Sequence, residues 1–336
     1  MRAILCRRQP GGALAGFEDV EVAVPSLQSP EDLLVRVEAA SLNPIDFKRR
    51  AARPDPDPEG AVLGWSGVGL VEAVGSAVRH ITPGQRVWYA GASERPGAFA
   101  EFQRVDARIA GLAPTRLPPD QAAAMPLAGL TASEALYDHL DIESAPPGHT
   151  ILVNGGAGAV ASLAVQLARQ VHSMVIIATA GSAKSRDRLL RLGADHVADH
   201  RLCLWQQVLQ MDCPKPRSIL SMHTNKRTWE SYIAMLQPFG DICLVDHPHH
   251  LDFAAARAKS IALHWQAMFT RPTLMYEASR QGAHLTRLAR LCDREAVKPL
   301  PVQRAMPMRA SEIGRAMDRD QHSGQRCVFV STSGMK

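Results

Sequence analysis

A chain of 336 residues exceeds the size at which one hydrophobic core stops growing, so two domains of about 100 to 200 residues are expected and a single small module is excluded. Apolar residues make up 46% and charged residues 21%, far from the disordered regime, and predict a sizeable core. The 38 basic and 33 acidic residues leave a net charge of +5, but they are interspersed along the chain, which argues against nucleic acid as a partner.

No stretch approaches the roughly 18 to 20 apolar residues of a membrane span, and Arg2, Arg7 and Arg8 flank no apolar signal run. A soluble, cytoplasmic protein is expected. The six cysteines, Cys6, Cys203, Cys213, Cys243, Cys292 and Cys327, include no C-x-x-C pair, so reduced, mostly buried thiols are expected.

From residue 1 to about 110 the chain reads as short β segments. Leu33-Leu34-Val35-Arg36-Val37, Val68-Gly69-Leu70-Val71-Glu72-Ala73-Val74 and Arg86-Val87-Trp88-Tyr89 alternate with turns such as Asn43-Pro44, Pro83-Gly84 and Pro96-Gly97. A small barrel or folded sheet is expected. The alternate prolines of 53–60 exclude helix and central strand there and predict an exposed loop.

Near residue 128 the rhythm changes. A helical pattern over 131–140 is followed by the apolar strand Thr150-Ile151-Leu152-Val153 and a helix over 159–171. Strands at Met174-Val175-Ile176-Ile177-Ala178, Ser218-Ile219-Leu220-Ser221 and Asp241-Ile242-Cys243-Leu244-Val245 then alternate with helices at 185–192 and 228–237. Continuously apolar strands separated by helices predict a doubly wound α/β parallel sheet covered on both faces. Helices at 276–292 and 313–317 and a strand at Cys327-Val328-Phe329-Val330 follow.

Gly156-Ala157-Gly158-Ala159-Val160-Ala161 directly follows the first of these apolar strands and opens a helix. This is G-x-G-x-x-G/A in the context that gives the pattern its meaning. Gly156 permits the tight turn, Gly158 admits a pyrophosphate close to the backbone, and Ala161 keeps helix and strand together. The amides at the helix start, at Ala159 and Val160, supply an anion site.

The kind of dinucleotide is decided at the next strand tip, where Asp or Glu would hold a free ribose 2′-OH. The tip reads Ala178-Thr179-Ala180-Gly181-Ser182-Ala183-Lys184-Ser185-Arg186, with no acid before Asp187. Thr179 is a candidate cofactor contact, and Ser182, Lys184 and Arg186 offer a hydroxyl and two cations for an additional phosphate. NADPH is therefore expected over NADH. The alternative is that Lys184 and Arg186 are solvated residues of the next helix.

Five ordered motifs together resemble the medium-chain dehydrogenase/reductase superfamily, in its zinc-free quinone-oxidoreductase-like branch, whose members are often labelled zinc-type alcohol dehydrogenase-like. They are Ser41-Leu42-Asn43-Pro44-Ile45-Asp46-Phe47-Lys48, the glycine-rich 63–75, the segment 123–132, the fingerprint, and Leu263-His264-Trp265-Gln266-Ala267-Met268-Phe269-Thr270-Arg271. The resemblance implies a Rossmann NADP-binding domain over 128–270 inserted in a GroES-like, β-rich catalytic domain of 1–127 and 271–336. It also implies an active site in the cleft between them and a homodimer edge at the strand 260–268.

In zinc-using relatives a Cys stands at the position of Asn43 and a His-Glu pair at Trp65-Ser66. Neither is present here, and no four-Cys lobe lies in the thiol-free interval from Cys6 to Cys203, so no metal is expected. His247-Pro248-His249-His250 is dense in histidine but reads as an exposed loop.

The resemblance implies that Asn43 and Asp46 border the substrate and nicotinamide, with Asn43 donating to a developing oxyanion and Asp46 orienting its neighbours; a plain turn and a helix cap are the alternatives. Lys48 occupies a position where several relatives carry Tyr and is a candidate proton donor. Trp65 is a candidate wall of the substrate cleft. Thr131 matches a position beside the nicotinamide.

His223, beyond the strand 218–222, is a candidate ribose or substrate contact. His200 stands where relatives carry a Tyr against the adenine phosphate, and Arg271 is a candidate partner of the cofactor phosphates or of an interdomain salt bridge. The expected activity is zinc-independent, NADPH-dependent hydride transfer to a quinone or an activated enone or carbonyl. The alternatives are an enoyl-thioester reductase and a non-catalytic NADPH-binding sensor or RNA-associated protein.

Overall fold

The computed structural model describes residues 1–12, 14–248, 251–320 and 326–331. The chain forms two compact units. Unit 1 takes Met1–Leu130, Phe269–Glu295 and Pro299–Lys336, and unit 2 takes Thr131–Met268 with Ala296–Lys298. The second unit is thus an insertion in the chain of the first.

Among the described residues, eight strands precede the insertion: β1 Arg2–Arg7, β2 Gly16–Glu21, β3 Asp32–Ser41, β4 Ala61–Val62, β5 Gly67–Val74, β6 Arg86–Tyr89, β7 Phe102–Asp106 and β8 Ala110–Leu112. Unit 2 carries β9 Thr150–Asn154, β10 Val175–Ala180, β11 His196–Asp199, β12 Ser218–Ser221, β13 Asp241–Leu244 and β14 Ala262–Trp265. The chain returns to unit 1 with β15 Arg304–Pro307 and β16 Cys327–Val330.

In unit 1 a three-stranded sheet runs β2-β1-β4, and a larger sheet runs β15-β16-β3-β5-β6-β8 with β7 also paired to β3. Strand β3 is its spine. Leu33, Val35 and Val37 are buried at every second position, as a pleated strand with one covered face requires. Its pairing with β5 shifts register twice, between Leu34 and Val35 and between Val37 and Ala39. Opposite that irregularity stands Gly69, where a Cβ would lie 2.2 Å from the Arg36 carbonyl oxygen, so only glycine lets the two backbones approach. Phe99 and Phe329 meet edge to face, 5.5 Å apart, in the core.

The segment 53–60 has neither helix nor strand, as its prolines dictate, yet one residue departs from the expected exposure. Asp57 is 3% exposed. Its carboxylate accepts the Arg53 guanidinium fork and the backbone N–H groups of Arg8 and Gly60. A carboxylate can enter the interior when its lone pairs are satisfied in this way.

Unit 2 is a six-stranded, all-parallel sheet in the order β11-β10-β9-β12-β13-β14. All five residues of β9 are buried, which explains its uninterrupted apolar reading. Strand order reverses at β9, so this strand's carboxyl end is the topological switch point where open α/β sheets take their ligands.

Element limits differ from the sequence expectation mainly at their ends. The helix expected over 131–140 is an α-helix, Pro126–Ser133, continued by a π-helical stretch, Glu134–His139. The strand expected over 260–268 contracts to β14 at the sheet edge. The helix after β12, Lys226–Met235, begins with reciprocal capping: Thr228 N–H donates to Asn225 Oδ1, and Asn225 N–H donates to Thr228 Oγ1. It buries Trp229, Tyr232 and Met235 at three-residue spacing. Among the described residues no helix is long and apolar enough to cross a membrane.

Candidate functional site

Strand β9 ends at Asn154, and Gly155-Gly156-Ala157-Gly158 turns the chain into the helix Ala159–Ala168. Gly156 has φ +61°, the left-handed region in which a side chain is strained. Gly158 occupies the N-cap at φ −66°, ψ 172°, with no side-chain cap. The first amides of the helix, at Ala159, Val160 and Ala161, therefore have no internal acceptor and form an anion cradle. At Gly158 a Cβ would meet the Gly155 carbonyl oxygen at 3.2 Å, and Gly158 is exposed. The turn has the shape and donor chemistry a pyrophosphate requires.

The strand tip beside it is more crowded than its sequence implied. Thr179 is completely buried. Its hydroxyl donates to Asn154 Oδ1 at 2.9 Å and accepts the N–H groups of Gly155 and Gly156 at 3.3 and 3.4 Å. It supports the turn from beneath. Ser182 caps the helix Ala183–Arg191, accepting Ser185 N–H at 3.2 Å. Arg186 donates to the Val197 carbonyl at 2.5 Å, and Lys184 is exposed.

Ser182 and Arg186 line a cavity of about 140 Å³ with two residues that sequence reading missed, Asp199 and Arg201. Asp199 lies opposite Ala180 in the β10–β11 register. The Arg201 side chain grips its carboxylate, with Nη2 at 2.7 Å from Oδ2, and this hydrogen bond above all holds the acid down to about 2. An acid and a paired cation thus stand at the neighbouring strand tip, although the tip of β10 itself has none.

His200 closes the opposite side. Its Cε1 lies 3.7 Å from the Cβ position at Gly156, and its Nε2 lies 2.8 Å from that at Gly181. His223 is exposed; its carbonyl accepts Asn154 Nδ2 at 3.1 Å and Ser221 Oγ at 3.2 Å. Thr131, in the helix Pro126–Ser133, is buried.

The remaining candidates belong to unit 1. The helix Pro44–Ala51 starts after Asn43, and Asp46 Oδ2 accepts Asn43 N–H at 2.8 Å while its Oδ1 accepts Gly64 N–H at 2.9 Å. Burial dominates the environment of Asp46 and pushes its carboxyl up to about 7, with the donated backbone N–H groups pulling the other way. Asn43 Nδ2 donates to the Ser41 carbonyl at 2.9 Å and, more weakly, to that of Trp65 at 3.5 Å. Lys48 is exposed on the same helix.

Trp65 is buried, donates Nε1–H to the Ala92 carbonyl at 3.2 Å, and meets Phe269 edge to face. The Arg49 guanidinium sits 5.9 Å from its ring centroid. Arg49, Trp65, Ser93 and Glu94 are among the walls of a cavity of about 440 Å³. Arg271 pairs with Glu277 at 3.0 Å.

At the positions where zinc-using relatives carry Cys and His-Glu, the side chains direct hydrogen-bond donors at carbonyls, where the ion needs lone pairs. Asn43 Nδ2 and Trp65 Nε1 point N–H groups at carbonyls, and Ser66 donates its hydroxyl to the Ala123 carbonyl at 2.8 Å. This set does not fit zinc. Among the described residues no three His, Cys, Asp or Glu side chains gather as a metal site. His247 is exposed, and His249 and His250 lie outside the described residues.

Family models match at both ends of this architecture: an alcohol dehydrogenase GroES-like domain over residues 29–115 and a zinc-binding dehydrogenase over 159–274. A zinc-type alcohol dehydrogenase-like protein of Staphylococcus aureus Mu50 is 32% identical over 246 residues, 72% of each chain. The chain belongs to the medium-chain dehydrogenase/reductase superfamily.

This medium-chain protein is an oxidoreductase by family. A Rhizobium etli CFN 42 protein whose crystal structure is named as a zinc-dependent alcohol dehydrogenase is 34% identical, covers 98% of each chain and superposes with a TM-score of 0.90. The NADPH-dependent alkenal/one oxidoreductase of Arabidopsis thaliana chloroplasts is 35% identical over 188 residues, 53% of this chain and 47% of its own. A parallel-pairing reading of β10 against β11 would have brought Asp199 and Arg201 to notice from sequence, because strands of known register place their tips side by side.

Proposed function

We propose that this protein is a zinc-independent, NADPH-dependent reductase that delivers hydride to a quinone or an activated enone or carbonyl. The observation that carries the reading is the turn 155–158, which leaves the amides of Ala159 and Val160 uncapped and open at the switch point of a doubly wound sheet. When bound, the nicotinamide group supplies the hydride.

The chain's own residues then bind and orient. The helix start takes the pyrophosphate, and Ser182, Lys184 and Arg186 lie around the strand tip proposed for the 2′-phosphate, where the net charge of the side chains is positive. His200 flanks the turn, and His223 and Thr131 are the proposed contacts of the nicotinamide half. Arg271 is a further phosphate candidate.

For the acceptor the reading uses unit 1. Asp46 fixes the Asn43 turn, Asn43 and Lys48 are the proposed polar groups, and Trp65 is the proposed wall of the acceptor site. The name of the Arabidopsis relative supports an enone acceptor. The domain division 1–127, 128–270 and 271–336, a homodimer paired along the β14 edge and a cytoplasmic location belong to the same reading.

The test is thermal unfolding of the purified protein with NADPH, NADH or neither. Protection by NADPH at lower concentration than by NADH is expected. Protection by neither would remove the reading. Following NADPH oxidation with a quinone, an alkenal and a crotonyl thioester then distinguishes the acceptor classes.

A further inference from the structure

Beneath the turn of unit 2 runs a chain of buried polar groups joined by hydrogen bonds. Gly155 and Gly156 donate their N–H groups to Thr179 Oγ1, at 3.3 and 3.4 Å. The Thr179 hydroxyl donates to Asn154 Oδ1 at 2.9 Å. Asn154 Nδ2 donates to Tyr232 Oη at 2.5 Å and to the His223 carbonyl at 3.1 Å. Tyr232 Oη and Ser221 Oγ then share a hydrogen bond at 2.8 Å in which either hydroxyl can donate.

Ser221 Oγ can donate to the His223 carbonyl at 3.2 Å and lies 2.9 Å from Thr224 Oγ1. Thr224 N–H, finally, donates to Asp246 Oδ2 at 2.5 Å. The chain crosses the carboxyl ends of β10, β9, β12 and β13, the edge on which open α/β sheets bind ligands.

Its members are buried: Tyr232 and Thr179 completely, Asn154 and Ser221 to 4% exposure or less. Core packing alone does not call for this many hydroxyls and amides, because each must be satisfied to avoid a desolvation penalty. Burial also holds the Tyr232 phenol up to about 12, so it stays neutral and can donate.

We propose that Asn154, Thr179 and Tyr232 are positioning residues for cofactor binding: their hydrogen-bond chain locks the turn 155–158 with its inner amides engaged, so that the outer amides of Ala159 and Val160 stand ready for the pyrophosphate. The Tyr232 hydroxyl joins the β9 side of the chain to the β12 side, beside the His223 carbonyl, which accepts from Asn154 and Ser221. The benefit is pre-organisation: the turn does not have to be ordered at the moment of binding. This proposal rests on the dinucleotide reading given above.

The experiment measures the dissociation constant of NADPH by calorimetry for the full-length wild type and for Thr179→Val, Thr179→Ser and Tyr232→Phe. Each is held well below its own unfolding midpoint and shown folded by circular dichroism, so that lost stability does not enter the affinity. Thr179→Val preserves shape but removes every hydrogen bond of the hydroxyl and is expected to weaken NADPH about tenfold. Thr179→Ser is expected to restore affinity to within about twofold, because it returns the hydroxyl. Tyr232→Phe is expected to weaken binding several-fold.

Wild-type affinity in Thr179→Val, or loss without recovery in Thr179→Ser, would overturn the positioning role while leaving the dinucleotide reading intact. Failure of the wild type to bind either NADPH or NADH would overturn the dinucleotide reading itself. If Tyr232→Phe does not fold, the two Thr179 variants decide.

Discussion

Gly64 donates its backbone N–H to Asp46 Oδ1 across 2.9 Å, tying the turn before β5 to the first turn of the helix Pro44–Ala51. Asp46 is fully buried, and burial raises its carboxyl from 3.8 to about 7. A carboxyl whose folded value lies above its unfolded value contributes stability that is complete below the unfolded value and is lost as pH rises through the folded one. The contribution of Asp46 to the urea midpoint should therefore decline between about pH 4 and about pH 7. In Asp46→Asn that decline should be reduced. Identical pH slopes in the two proteins would exclude Asp46 as its source.

Gly64 itself has φ +107°, and a Cβ there would lie 2.9 Å from Phe99 N and 3.0 Å from Ala98 N. Those two amides donate to the carbonyls of Leu63 and Gly64, so neither can give way without breaking a pair. Gly64→Ala is expected to cost about 3 kcal/mol of unfolding free energy, from strain and lost pairing together. A chemical-denaturation loss below about 1 kcal/mol would contradict this geometry.

Gly158 offers a substitution whose effects on stability and binding should separate. Its extended backbone at an N-cap suits Asp, which would accept the free amides of the following turn. Gly158→Asp should thus unfold at the wild-type temperature or slightly above it. It should also bind NADPH at least about 100-fold more weakly, because a fixed carboxylate takes the amides and repels the pyrophosphate. Melting curves with and without NADPH report both effects.

In the proline-rich loop, Asp57 is held down to about 2, chiefly by its hydrogen bond from Arg53. A depressed carboxyl contributes stability that is present above its unfolded value and disappears as pH falls through the folded one. Asp57→Ala should cost about 2 kcal/mol at neutral pH, leaving the Arg53 fork and the amides of Arg8 and Gly60 without their acceptor. Cleavage by a low concentration of protease within 53–60 should rise accordingly.

The donor set around Asn43, Trp65 and Ser66 leads to a metal prediction. Prolonged dialysis against a chelator should leave NADPH protection and any NADPH-oxidising activity unchanged, and zinc added afterwards should restore nothing. Elemental analysis of the dialysed protein against its activity checks this.

What the sequence determined by itself was local or periodic. Uninterrupted apolar strands announced the parallel sheet, and two glycines at fixed spacing between strand and helix announced the tight turn that joins them, because backbone conformation and the absence of Cβ atoms act within a few residues. Asn43 and Asp46 were legible as a polar turn for the same reason.

The direction and use of the polar groups were decided only by tertiary structure. Thr179 reads as a strand-tip contact until Asn154, 25 residues away, takes its proton; Tyr232, 78 residues from Asn154, gives no sign in its helix of the chain it joins. Asp199 and Arg201 come to the tip of β10 because β11 pairs in register with β10, and Asp57 turns inward because Arg53, the nearby amide of Gly60 and the distant amide of Arg8 meet it there. Hydrogen bonds require groups to meet within about 3 Å, and which groups meet depends on how separate stretches of chain pack, a relation no single stretch contains.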